Sequence, residues 1–503
     1  MNRRGVRAVS GVSESGSAFV IADSIKKSKG KNLIIVPTEP KARRLADDLS
    51  FLTGENVIVM PEEEQLFLHF EAKNHDMSLQ RINAMKALAG DEDCTVVAPV
   101  TAAIKRTAPH KLFAAKNLVI KRGQQRFLID IREELVRLGY EKLGMVESPG
   151  EFSIRGGILD VFTPDSSRPY RIEFFDTEVD SIRSFDVATQ RSVENLKYIE
   201  INPAQEIILD KDIFTKAAEK LRKVYDTHVN KLMKRGDEYA EIAENLKRRR
   251  DELCEYIHAQ NNVQLLENYL HYFYDETEYL WDYMEDGSLF IDDPDRICEL
   301  LDFREKEMRA DFELMLERGE IVPEDFELVT GTGDFVGSYT RRPVTFLLPF
   351  PKQIKEIEEY DSLENMQCSP MMNFSGHMEL LESELKSFIK KKYDIYITAS
   401  TEERRKNLIE YCDRIGVLSF VNFRRGHLSS GFDFSQMKLC YISDNDIFGE
   451  RRQMRKRTRK TPGGGRIENF SDLNTGDLVV HEAHGVGRFL GIEQLEIQRE
   501  KKD

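Results

Sequence analysis

Between Glu147 and Asp186 the chain reads ESPGEFSIRGGILDVFTPDSSRPYRIEFFDTEVDSIRSFD, and much of this run alternates between apolar and polar residues. Successive side chains of a strand point to opposite faces. In YRIEFF, Tyr170, Ile172 and Phe174 therefore share one face, and Arg171, Glu173 and Phe175 share the other. The first set is the better apolar face and is expected to pack on a core. Phe175 is then left on the outer face beside Arg171. An exposed aromatic ring next to arginine on a rigid sheet has the composition of a protein-docking surface. A neighbouring loop that covers Phe175 is the alternative, because single apolar residues often reach the surface.

The remaining chain sets limits on class. At 503 residues it exceeds what one hydrophobic core supports, so three or more domains are expected. No stretch of eighteen apolar residues exists, so no membrane span and no membrane partner are expected, and the charged fraction of 32% suits a cytoplasmic protein. Cys94, Cys254, Cys298, Cys368, Cys412 and Cys440 stand singly, without the CxxC spacing of a zinc site or the clustering of a disulfide framework. A net charge of −15 argues against broad nonspecific binding to nucleic acid, which rests on neutralising phosphates.

Strands and helices alternate from the N-terminus: VRAVS, NLIIVPT, NVIVMP and TVVAPV as strands, with helical patterns between them. That order predicts a parallel α/β sheet. The segment 212–260 reads as one or two charged surface helices broken near Gly236, and Trp281 is expected to pack helices onto the sheet. The run Lys247–Arg250 reads as a solvated helix face, with nucleic-acid contact as the alternative. GSLFIDD is expected to complete the first α/β domain near residue 335, and PVTFLLPF to open a second α/β unit, whose helix carries Leu380, Leu381, Leu385 and Ile389 on one face. Residues 451–466, RRQMRKRTRKTPGGGR, read as a basic linker that either touches DNA or serves only as a tether.

Two motifs invite chemistry and fall short of it. GVSESGSA, Gly11 to Ala18, has the glycine spacing of a phosphate loop through Gly11 and Gly16. Ser17 stands where the phosphate-binding lysine belongs, and Ala18 where the magnesium-binding hydroxyl belongs. The loop is therefore expected to be inactive, with no catalytic residue and no cofactor in this chain. HEAHG, His481 to Gly485, follows the strand LVV and leads into Gly-Val-Gly, so it is read as strand and turn, with no metal expected.

GEFSIRGGILDVF with PYRIEFFDTEVDSIRSFD resembles the signature shared by UvrB and by the transcription-repair coupling factor family, Mfd. GDLVVHEAHGVGRFLGIEQLEI, Gly476 to Ile497, resembles the start of the polymerase-interacting domain of the Mfd family, a module shared with CarD-type regulators. Their order and separation fit the N-terminal portion of that family. The resemblance implies an α/β multidomain architecture. Its parts are a degenerate helicase-like, P-loop-type domain (1–117 and 204–335), an inserted small β-rich UvrA-binding domain (118–203), a second small α/β domain (340–447), a linker (448–470) and a truncated CarD-like β-barrel (471–503).

The same resemblance implies what each part does. Arg155, Arg171 and Phe175 would form the surface that meets UvrA, with the turn DSSRP bringing the strand of Arg155 close. His481, Gly485, Gly487 and Arg488 would belong to an incomplete site for the RNA polymerase β subunit. The implied function is an adaptor that recruits UvrA of nucleotide excision repair to polymerase stalled at a DNA lesion. ATP, Mg and most DNA contact belong in that family to motor domains, which this sequence is expected to lack. A UvrB-like ATP-dependent enzyme and a CarD-like polymerase regulator are the competing readings.

Overall fold

The computed structural model describes residues 5–12, 14–27, 30–62, 75–111, 117–206, 211–259, 266–284, 287–328, 330–339, 343–352, 354, 360–449, 478–481, 485–488, 495–497 and 500–502. The chain is a mixed α/β protein that divides into two compact units, Met1–Gly449 and Glu450–Asp503.

Strands β1 (Val6–Ser10), β2 (Lys31–Val36), β3 (Val57–Val59) and β4 (Cys94–Pro99) alternate with helices α1 (Ser15–Lys27), α2 (Glu39–Thr53) and α3 (His75–Ala89). Eight strands follow: β5 (Leu118–Lys121), β6 (Glu141–Lys142), β7 (Glu151–Arg155), β8 (Ile158–Val161), β9 (Tyr170–Phe175), β10 (Glu178–Phe185), β11 (Ser192–Leu196) and β12 (Tyr198–Ile201). The chain then returns through β13 (Gly287–Asp292), β14 (Val344–Leu348) and β15 (Ser362–Asn365). The last strands of this unit are β16 (Cys368–Pro370), β17 (Asp394–Ala399), β18 (Val421–Arg425), β19 (Phe432–Phe434) and β20 (Leu439–Ile442).

The first sheet runs β15-β1-β14-β13-β2-β4-β3, and every pairing in it is parallel. Its inner strands β14, β13, β2 and β4 are largely buried on both faces, which is why they read as continuous apolar runs, whereas the edge strand β15 is mostly exposed. Along β2, Leu33 and Ile35 enter one core while Ile34 and Val36 enter another. The first core is shared with the inner side of the β5–β12 region and holds Trp281, which stacks on Tyr279 at 4.6 Å and meets the edge of Phe335. The second lies under α1 and α2 and includes Phe432 and Phe434 from β19.

PVTFLLPF does not open the second α/β unit. As β14 it lies inside the first sheet, between β1 and β13, and β15 forms that sheet's edge beyond β1. The run Phe346, Leu347, Leu348 is buried throughout, as a central strand of a parallel sheet requires. The second sheet is β16-β19-β20-β17-β18. Its helix Met378–Lys390 buries Leu381, Leu385 and Phe388, with Ile389 packed alongside, and turns Leu380 toward solvent.

Helices Lys211–Met233 and Ala240–Ala259 pair around a core of their own and are separated at Gly236. The basic run is engaged within the protein: Lys247 with Glu244, Arg248 with Asn245, Arg249 with the Tyr269 hydroxyl and Arg250 with Asp226. Among the described residues no helix is long and apolar enough to cross a membrane.

In the second unit β21 (Leu478–His481) pairs antiparallel with β22 (Gly485–Arg488), and β23 (Leu495–Ile497) with β24 (Glu500–Lys502). His481 lies opposite Gly485, Gly487 opposite Val479, and Arg488 opposite Leu478. His481 is thus on a strand, where a zinc-protease motif would need a helix. The basic linker 451–466 lies outside the described residues.

Candidate docking surface

Strands β11-β10-β9-β8-β7-β6 form a six-stranded sheet with one apolar side. Phe152, Leu159, Val161, Ile172 and Ile182 are buried in the core, and Tyr170 and Phe174 pack against it. The pleat therefore sends Arg155, Asp160, Arg171, Glu173 and Phe175 to the other side. Register places Ser153, Asp160, Arg171 and Arg183 in one row across four strands. Arg155, Ile158, Glu173 and Ser181 form the next row.

Asp160 is the centre of this outer face, and its side chain is only 1% exposed. Arg171 donates Nε to its Oδ1 at 2.7 Å and Nη2 to its Oδ2 at 2.8 Å. Arg155 donates Nη2 to the same Oδ2 at 2.7 Å. The Arg171 guanidinium also lies 4.4 Å over the Phe185 ring and donates to Gln190 Oε1 at 2.9 Å. The Asp160 hydrogen bonds hold the Arg171 guanidinium still more firmly protonated than usual, against partial burial that acts the other way. In the next row Glu173 accepts from Arg183 and from the Ser181 hydroxyl.

Phe175 ends β9 and is 80% exposed, so no loop covers it. The turn that follows holds Asp176 in the left-handed region at φ 55°. Beside this turn, at the start of β8, the pair Gly156-Gly157 closes the hairpin that carries Arg155. A Cβ on Gly157 would stand 2.8 Å from the Phe174 carbonyl oxygen, so glycine is required for β8 to approach β9 there.

The outward placement of Phe175 and its shared face with Arg171 agree with the period-2 reading. Other details differ. Arg171 is an internal strut, with 17% of its side chain exposed, whereas Arg155 keeps 49%. Arg155 also sits two strands away from Arg171, and β8 between them supplies the bridging acid. The turn DSSRP joins β8 to β9; the Arg-Gly-Gly hairpin is what sets Arg155. Sequence reasoning missed Asp160, whose one signal was a lone acid between Leu159 and Val161.

The loop between β1 and α1 has a different character. Gly11 adopts φ 68°, and its carbonyl accepts from the Cys368 amide at 2.8 Å. Ser17 and Ala18 are buried, and a Cβ on Gly16 would fall 2.4 Å from Cys368 Sγ. Ser15 donates to Asp48 at 2.6 Å, and the amides of Ser429 and Ser430 donate to Asp48 and to Ser15 Oγ. Burial pushes the Asp48 carboxyl up, opposed by the bonds from Ser15 and Ser429. Residues 365–368 and 429–430 thus pack over the loop and the start of α1.

Comparison with known proteins adds the context for both sites. Residues 118–207 match the UvrB interaction domain, and residues 473–503 match the CarD-like/TRCF RID domain. Across 506 residues the chain is 32% identical to the transcription-repair-coupling factor of Bacillus subtilis (strain 168), an alignment that takes in 97% of this chain. The chain is a homologue of the transcription-repair-coupling factors. The coupling factors of Staphylococcus haemolyticus (strain JCSC1435) and Staphylococcus aureus (strain MRSA252) are each 27% identical over 97% and 98% of it. The chain spans about 42% of the length of these coupling factors. The outer face built around Asp160 falls wholly inside the UvrB interaction match, and β21 to β24 fall inside the second match.

Proposed function

We propose that this chain is a docking module of a transcription-repair coupling factor: it binds UvrA through the outer face of β7 to β9 and so brings excision repair to a stalled RNA polymerase. The observation that carries this reading is the open Phe175 ring on the same outer face as the half-exposed Arg155, inside the region that matches the UvrB interaction domain. Phe175 supplies the apolar anchor and Arg155 a guanidinium for a partner carboxylate. Arg171, bound to the same Asp160 as Arg155, supports Arg155. The polymerase β subunit would engage the CarD-like segment 471–503, read as part of a β-barrel with His481, Gly485, Gly487 and Arg488 on its first hairpin.

The first sheet is read as a helicase-type domain that no longer uses ATP. Ser17 and Ala18 remove the lysine and the hydroxyl, and the covered start of α1 supports the same conclusion. The ATP-driven motion of the whole factor is assigned to length that the relatives have and this chain does not span. A cytoplasmic setting suits this role. Oxidative footprinting tests the docking claim: the Phe175 ring is reactive in the free chain and is protected when UvrA is added. A UvrA complex in which Phe175 stays as reactive as before removes the claim.

A further inference from the structure

We infer that Asp160 is a positioning residue of this docking surface: it fixes the two arginines in the bound geometry, although its own negative charge opposes an acidic partner. The inference rests on the UvrA-docking reading above and deepens it.

Asp160 is a buried acid that faces outward on a strand whose neighbours Leu159 and Val161 face the core. Three charge-assisted bonds, at 2.7, 2.8 and 2.7 Å, converge on its two oxygens from Arg171 and Arg155. Burial of a carboxylate is unfavourable unless it is paired in this way. The pairing leaves one net positive charge on the cluster and ties the half-exposed Arg155 to the strut Arg171, which Phe185 and Gln190 hold from the other side. Arg155 would otherwise be a long side chain free among rotamers, and binding would have to order it.

The two possible roles of Asp160 give opposite signs. If the arginines act only as charge, Asp160→Asn removes a competing negative charge, speeds association with an acidic surface and tightens binding. If Asp160 positions them, Asp160→Asn loosens Arg155 and the complex dissociates faster, by about tenfold or more.

The experiment is UvrA binding kinetics for the full chain, wild type beside Asp160→Asn, Arg171→Lys and Phe175→Ala, with melting curves for each. Arg171→Lys keeps the charge but loses the two-pronged grip on Asp160, so it serves if Asp160→Asn folds poorly. Positioning predicts faster dissociation for both variants at unchanged or higher association rate. Wild-type-like or tighter binding by the folded variants, with Phe175→Ala still defective, overturns the inference and leaves UvrA docking standing. A wild-type chain that does not bind UvrA overturns both.

Discussion

Arg171 and Asp160 are locked in a two-pronged pair, Nε to Oδ1 at 2.7 Å and Nη2 to Oδ2 at 2.8 Å, on the same sheet face that presents Phe175 and Arg155 to solvent. The pair divides the three side chains of the proposed surface into a support and two contacts. Stability and binding should therefore respond differently at each.

Phe175→Ala leaves the fold intact, because the ring is exposed. Its stability stays within about 0.5 kcal/mol of wild type. UvrA binding weakens by roughly 2 kcal/mol or more if the ring is an anchor. Thermal melts beside binding isotherms separate the two quantities.

Arg171→Ala behaves otherwise. It strips Asp160 of two of its three arginine bonds and uncovers the Phe185 ring, so unfolding becomes easier by about 1–3 kcal/mol. Arg155→Ala, at a half-exposed side chain, costs less than about 1 kcal/mol. Equal denaturation midpoints for the two variants would contradict the division into support and contact.

Rewriting the phosphate-loop letters does not revive nucleotide binding. Ser17→Lys with Ala18→Ser places a long cation at a buried site under residues 365–368 and 429–430. The double variant is expected to lose about 2 kcal/mol or more of stability and to gain no affinity for a fluorescent ATP analogue. Tight saturable binding of the analogue would show that the covering segments yield.

Asp325 gives the helical hairpin a pH dependence. Burial pushes its carboxyl up to about 6, despite hydrogen bonds from the Val322 amide and the Tyr225 and Tyr272 hydroxyls. Its folded pKa lies above the ordinary aspartate value of 3.8, so the folded state holds the proton more tightly than the unfolded one. The stabilising contribution is complete below about pH 4 and is lost as pH rises through about 6. Amide protection in Lys211–Met233 and Ala240–Ala259 should therefore fall between about pH 4 and 6 relative to Asp325→Asn, which removes that titration. Parallel pH profiles for the two proteins would count against it.

The outer placement of Phe175 was legible because period 2 decides which side chains share a face, whatever the register. The role of Asp160 was not, since one acid in an apolar strand looks like ordinary alternation until strand pairing puts it between two arginines. Likewise, the apolar run of β14 announces burial on both faces but not the sheet that provides it. The covering of α1 comes from residues more than 300 positions away in sequence, Cys368 and Ser429 among them, and local pattern carries no trace of such contacts.

The most direct test of the central claim is the affinity of purified UvrA for the wild-type chain, Arg155→Ala and Phe175→Ala, each shown by its melting curve to be folded. The account predicts measurable wild-type binding that drops about thirtyfold or more for Phe175→Ala and by a smaller factor for Arg155→Ala. Binding that is equal across all three folded proteins would contradict it.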